Sequence, residues 1–318
     1  MASLIAIGIG LELYVRLGLD NGMRFDLEMW KYARCLKQVA GHPAIGHEHR
    51  PQSSAHLMGV DIRINGHKLR DDDYDYERPA DTQRILMLGD SVTFGWGVPI
   101  EQTVSKRLER RLRETGRKVD VINTGVGNYN TTMEVAYFLT EGIKYDPQVV
   151  VLNYFINDAE PTPTYKPFNF LERYSYAYVW LSGRFDVVSR QLAHQPTWWE
   201  YYSGLYESQG WKAAEEAIDQ LSSYCHSHGI GLLIVNYPEL RQLKPYRFDR
   251  VRALLREAAI HNGADYLDLY DVVRNEDESQ LWVTRLDPHP NSYAHKLNTD
   301  ALVVPIQHML DRYPANKN

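Results

Sequence analysis

The chain has 318 residues, 44% of them hydrophobic and 24% charged, which fits a globular protein with ample core and excludes a disordered one. Lys plus Arg number 35 against 41 Asp plus Glu, a net charge of -6, so no basic excess exists to neutralise nucleic-acid phosphates or to hold an anionic membrane surface. Two cysteines, Cys35 and Cys225, are too few for a disulfide framework or a thiolate zinc cluster; they read as free thiols, with one disulfide between them as the alternative.

The run from Ala2 to Leu11 is apolar but about half the ~20 residues of a spanning helix. It lacks the basic start and small-residue cleavage site of a signal peptide. It reads as a docked N-terminal helix, leaving the chain cytoplasmic, or as the remnant of a membrane anchor, making it periplasmic or membrane-associated. Residues 20–80 read as irregular. Val60 to Ile64 alternates like a half-buried strand, and Asn65-Gly66 then offers a hairpin turn. The acidic run Asp71 to Glu77 reads as a solvated loop, since it lacks the spacing and glycine of a calcium loop. His42, His47, His49 and His56 have neither companion cysteines nor a His-Glu-x-x-His helix, so no metal is assigned. The N-terminal segment, residues 1–80, is expected to wrap a main domain over residues 81–318.

From residue 84 short apolar runs alternate with amphipathic stretches. Strands are predicted at residues 85–88, 119–122, 149–153, 232–235 and 266–269, and helices at 101–115, 131–143, 211–228, 248–261 and 292–310. This order predicts an α/β fold with a parallel five-stranded sheet covered by helices on both faces, whose sites lie at the carboxyl ends of the strands. Residues 159–210 interrupt the pattern with an aromatic-rich insertion. Such a length suits a lid or binding element. Its rings fit equally a wall for a glycan or acyl chain and plain packing on the sheet.

Four segments at or near strand ends carry the chemistry. Gly89-Asp90-Ser91-Val92 follows the first strand and offers a serine hydroxyl and its own N–H, or else a tight turn with serine as helix cap. Asp287-Pro288-His289 offers a base for that hydroxyl and a carboxylate to fix its tautomer, or else a structural loop. Phe155-Ile156-Asn157-Asp158 offers a side-chain amide for an oxyanion, and Asn123 to Asn130 a glycine-exposed backbone N–H. His295 is read as structural.

Together these blocks resemble the SGNH (GDSL) hydrolase family over about residues 82–312. The resemblance implies a three-layer, flavodoxin-like α/β/α fold and ester hydrolysis through Ser91, His289 and Asp287, with no cofactor. It implies an oxyanion hole built from Ser91, Asn157 and either Asn128 or Gly127, Asn128 being favoured. Trp96, Phe155 and Tyr129 are assigned to the substrate wall. Phe155 stands where the family usually has a glycine, which puts the shape of the oxyanion pocket in question. The short Asp-x-His spacing resembles sugar O-acetyl esterase and acetyltransferase relatives. The expected function is therefore a serine esterase, with a carbohydrate O-acetyl ester as candidate substrate and a small-molecule or glycan ester as the partner. An O-acyltransferase, a lipid esterase and a non-catalytic glycan-binding protein on the same scaffold are the rivals.

Overall fold

The computed structural model describes residues 2–314. Its sheet is formed by Gln83–Leu88 (β1), Val119–Asn123 (β2), Val149–Tyr154 (β3), Gly231–Asn236 (β4) and Asp265–Asp268 (β5). All pair in parallel in the order β2-β1-β3-β4-β5. β1 and β3 are buried on both faces, which explains their near-continuous apolar runs. Leu86, Leu88, Val150 and Leu152 face one layer with Phe138, Ile218 and Leu255. Ile85, Met87, Val149 and Val151 face the other with Leu108, Leu302 and Ile306. The expected three-layer α/β/α architecture is present, and its helices span Val104–Glu114, Thr131–Thr140, Gln209–Ser227, Asp249–His261 and Ser292–Arg312. In this strand order the direction of winding reverses beside β1, which opens a crevice at the carboxyl ends of β1, β2 and β3.

The N-terminal segment departs from its local reading in two places. Val60–Arg63 forms a hairpin with the preceding Ser54–Leu57, not across Asn65-Gly66. The turn is Met58-Gly59, both with positive φ (49° and 72°), the geometry that suits the twist of paired strands. Asn65 instead closes a local loop, its Oδ1 accepting from the Leu69 N–H at 2.9 Å. Asp71 is also not solvated. It is buried, pairs with the Lys106 ammonium, and accepts from the Asn123 N–H at 2.6 Å at the end of β2. Burial pushes its carboxyl up to about 6, against the pull of Lys106.

The helix Phe25–Leu36 lays Tyr32 and Leu36 against Leu57 and Ile62 and against Phe94 and Trp96 from the turn after β1. The insertion is helical, with helices at Phe170–Tyr174, Tyr176–Leu192 and Trp198–Leu205. Trp198, Trp199 and Tyr202 pack on the core, while Phe170, Phe185 and Leu192 stay exposed. Ala2–Tyr14 is a helix with Ile5, Ile7 and Ile9 exposed, and no helix among the described residues is long and apolar enough to cross a membrane. Cys35 is half-buried and Cys225 buried, and both are free.

Candidate active site

β1 ends in a turn that only glycine allows. Gly89 has φ +156°, and a Cβ there would lie 2.0 Å from Thr93 Oγ1. The turn delivers Asp90 and then a single-turn helix, Ser91–Phe94. The helix cap is Asp90, whose Oδ1 accepts from the Val92 N–H at 2.8 Å. Ser91 is thereby spared from capping. Its hydroxyl lies 2.9 Å from His289 Nε2, and its N–H has no acceptor among the described residues.

His289 lies on the strand Asp287–Pro290, paired with Trp282–Thr284 and leading into the last helix. Its Nδ1 is 2.5 Å from Asp287 Oδ1, and its N–H also donates to that oxygen at 3.2 Å. Asp287 Oδ2 accepts from Trp96 Nε1 at 2.8 Å. Burial alone would push the Asp287 carboxyl up. The hydrogen bonds from His289 and Trp96 outweigh it and hold the group below its ordinary value. An ionised, acceptor-only Asp287 obliges Nδ1 to carry the proton, which leaves the Nε2 lone pair facing Ser91.

Asn157 sits in the 3₁₀ turn Ile156–Ala159 beyond β3. Its Nδ2 donates to Asp90 Oδ2 at 3.0 Å. The flipped amide would set oxygen against carboxylate, so this contact fixes the orientation and leaves a second N–H for another acceptor. Phe155, in the position that is usually glycine, has φ -124° and ψ 163°, extended backbone that any residue adopts. Its N–H is taken by Asp158 Oδ2 at 3.1 Å, so it offers no oxyanion donor. Beyond β2 the two alternatives separate. The Gly127 N–H donates to Tyr32 Oη at 2.9 Å, whereas the Asn128 N–H has no acceptor among the described residues. Asn128 has φ +65°, a left-handed conformation that asparagine tolerates better than most residues.

These elements surround a cavity of about 220 Å³ lined by Ser91, Asn128, Phe155, Asn157 and His289. Asp287 stands behind His289. Trp96 and Tyr129 do not line the cavity, contrary to their assignment to the substrate wall. Both are buried, Trp96 bound to Asp287 and Tyr129 donating to the His47 carbonyl at 2.8 Å. Their rings fill core because an aromatic beside a strand end packs inward or outward with no local signal. The wall is completed by Phe25 and Met29 from the helix Phe25–Leu36, Trp198 and Tyr202 from the insertion, and residues 238–241 after β4. Arg241 lies over the Trp198 ring at 4.2 Å and donates to the buried Glu239 at 2.7 Å. The position of residues 238–241 directly after a predicted strand was a usable signal. Phe25 and Met29 carried none. His295 is buried, its Nδ1 accepting from the Val104 N–H at 3.1 Å.

Asp158, next to Asn157, and Glu134 form a buried carboxyl pair. Among the described residues Glu134 has no hydrogen-bond partner at either oxygen, and Asp158 has none at Oδ1. Burial, then the neighbouring Asp158, raises Glu134 well above the ordinary carboxylate value. A raised folded-state value means stability that is present at acid pH and lost as pH rises through that value. Glu134→Gln removes this titration. Thermal melts should therefore show the variant gaining over the parent by about 2 °C or more at pH 8, with the gain shrinking toward pH 5. An equal difference at both pH values would contradict a protonated Glu134.

The model of the GDSL-like Lipase/Acylhydrolase family matches residues 87–297. No curated protein matches the chain. Among solved structures, a putative lipolytic protein of G-D-S-L family from Desulfitobacterium hafniense DCB-2 is similar at 14% identity and a TM-score of 0.46, over 70% of this chain and 98% of that one. A lipase/acylhydrolase from Enterococcus faecalis is similar at 14% identity and 0.46, over 74% and 100%. A two-domain esterase described as active on acetylated mannans is similar at 16% identity and 0.46, over 74% of this chain and 50% of that one.

Proposed function

The chain belongs to the GDSL-like lipase/acylhydrolase family, and from that premise we propose that it is a serine esterase cleaving short acyl esters, with an O-acetylated carbohydrate as its substrate class. The observation that carries the reading is the unbroken chain from Ser91 Oγ to His289 Nε2 at 2.9 Å and from His289 Nδ1 to Asp287 at 2.5 Å, opening on one cavity. In this mechanism Ser91 Oγ attacks the ester carbonyl while its proton passes to His289 Nε2. Asp287 holds the ring and stabilises the imidazolium. The carbonyl oxygen gains its negative charge among the N–H groups of Ser91 and Asn128 and the free N–H of Asn157. Collapse of the tetrahedral species returns the proton to the leaving alcohol and leaves an acyl-Ser91. Water then attacks the acyl carbon, His289 takes its proton, and the carboxylic acid departs with Ser91 restored.

The short acyl group is supported by the cavity size. About 220 Å³ is below the ~300–1,000 Å³ of sites for drug-sized ligands, which suits a small acyl group at Ser91. The carbohydrate is supported by Trp198 and Tyr202 beside Arg241, which join ring faces to a hydrogen-bond donor. The test is turnover of p-nitrophenyl acetate against butanoate and decanoate esters, with trapping of an acetyl group on the Ser91 peptide. Fastest turnover of acetate with acetyl on Ser91 supports the reading. Faster turnover of decanoate would replace it with a lipid esterase.

Asn157→Ala should lower kcat by roughly 100-fold or more, the usual cost of one oxyanion donor. KM should change little, since the bond is made to the developing charge. Wild-type kcat in this variant would remove Asn157 from the mechanism.

A further inference from the structure

Three buried side chains from the N-terminal segment converge on Gly127, Lys37 and His47 on the peptide group that joins it to Asn128 and Tyr32 on its own N–H. None lies within residues 87–297, the family-matched region. Lys37 Nζ donates to the Gly127 carbonyl at 2.5 Å and to Asn128 Oδ1 at 3.0 Å. His47 Nε2 approaches the same carbonyl at 3.0 Å. Because a carbonyl only accepts, Nε2 carries the His47 proton, and Nδ1 is buried with no partner among the described residues. Tyr32 Oη accepts from the Gly127 N–H at 2.9 Å and lies 2.6 Å from His49 Nε2. His49 Nδ1 in turn donates to the Lys68 carbonyl at 3.0 Å, so Nε2 is the acceptor and the tyrosine proton goes to it. Both histidines are thus neutral, in keeping with the burial that drives each down to about 3.

The direction of this clamp is what matters. In a trans peptide the carbonyl and the following N–H point in opposite directions. Two donors gripping the Gly127 carbonyl therefore aim the Asn128 N–H the other way. That N–H has no acceptor among the described residues, and Asn128 lines the cavity with Ser91 and Asn157. The third contact, Lys37 to Asn128 Oδ1, ties down a residue held at φ +65°. Burial pushes Lys37 down to about 7, and as ammonium or amine it has N–H groups for both acceptors; its bond to the carbonyl also polarises the peptide and strengthens the Asn128 N–H as a donor. Tyr32 blocks the other solution. A Cβ on Gly127 would lie 2.7 Å from its ring, and its hydroxyl occupies the Gly127 N–H.

We propose that Lys37 and His47 are positioning residues for the esterase reaction, clamping the Gly127–Asn128 peptide so that the Asn128 N–H serves the oxyanion, and that the N-terminal segment is thereby part of the catalytic unit. The proposal rests on the serine esterase reading given above. Its test uses the full chain with Lys37→Met, His47→Leu and His47→Gln, the last keeping a side-chain N–H for the carbonyl. Active sites are counted by fluorophosphonate labelling of Ser91, so that kcat refers to folded, competent enzyme. KM and kcat are measured with p-nitrophenyl acetate, and inhibition with a small alkylboronic acid, whose tetrahedral adduct on Ser91 places an oxygen where the oxyanion forms.

Lys37→Met and His47→Leu should lower kcat per site about tenfold or more, short of the loss expected for deleting a donor outright, with KM within about twofold. The boronic acid Ki should weaken by the same factor, and His47→Gln should recover most of the loss. A merely structural role would lower the number of competent sites and leave kcat per site and Ki unchanged. That outcome overturns the proposal. Activity that persists in Ser91→Ala would instead overturn the esterase reading itself, so the two failures are distinguishable.

Discussion

Ser91→Ala is expected to lower ester turnover on the order of 10⁴-fold or more with no loss of fold. The magnitude follows from the covalent route, since without the hydroxyl no acyl-enzyme forms and only binding and the oxyanion donors remain. The fold is expected to survive because the Ser91 hydroxyl carries no structural load. Asp90 supplies the helix cap, and the hydroxyl's near partner is His289 at 2.9 Å, with Asp90 Oδ2 more distant at 3.4 Å. Thermal melts of the two proteins should coincide within a few degrees. Turnover of p-nitrophenyl acetate, with the variant's residual rate compared against buffer, is the measurement. Comparable rates above buffer in parent and variant would break the nucleophile assignment, whereas no rate above buffer in either would favour an acyltransferase or the glycan-binding alternative.

Asp287→Asn is expected to cost roughly 10⁴-fold in kcat, through the tautomer rather than through contact with substrate. Asp287 is fully buried, and its two oxygens take bonds from His289 and from Trp96. An asparagine can accept at one position only. Trp96 Nε1 can only donate, so the amide oxygen belongs there, and the amide nitrogen then faces His289 Nδ1. That donor forces Nδ1 to become the acceptor and moves the ring proton to Nε2, where it meets the Ser91 hydroxyl. The base is lost while the ring stays in place. Single-turnover rates across pH 6–9 should remain low throughout, and KM should be nearly unchanged. A variant that recovers parent activity at high pH would show that Asp287 acts on the basicity of His289 alone and not on its tautomer.

Much of the sheet was legible because its strands are buried on both faces. Ile85 to Leu88, Val149 to Leu152 and Leu232 to Val235 are each apolar at every position. Helix ends were legible where glycine stops them, at Gly116, Gly229 and Gly263, each with φ between 61° and 86°. The N-terminal hairpin was not. Met58-Gly59 and Asn65-Gly66 are both turn dipeptides, and pairing with Ser54–Leu57 chose between them. The same limit applies to Asp71. Its acidic neighbours suggest solvent, but a lysine on a distant helix and the end of β2 bring it inside.

The chemistry divides in the same way. The fold class and the candidate nucleophile, base, carboxylate and oxyanion amide, Ser91, His289, Asp287 and Asn157, were legible in the residue pattern. Residue type, strand ends and short spacing carry that information, and all are local. The orientation of these groups comes from contacts between distant segments. Asp90 turns the Asn157 amide, Trp96 engages the second oxygen of Asp287, Lys37 and His47 hold the Gly127–Asn128 peptide, and Tyr32 holds the Gly127 N–H. These partners are separated from what they orient by about 67, 191 and 80 to 95 residues along the chain. A hydrogen bond depends on direction within a few tenths of an ångström, and no residue pattern encodes a direction between segments that only folding brings together.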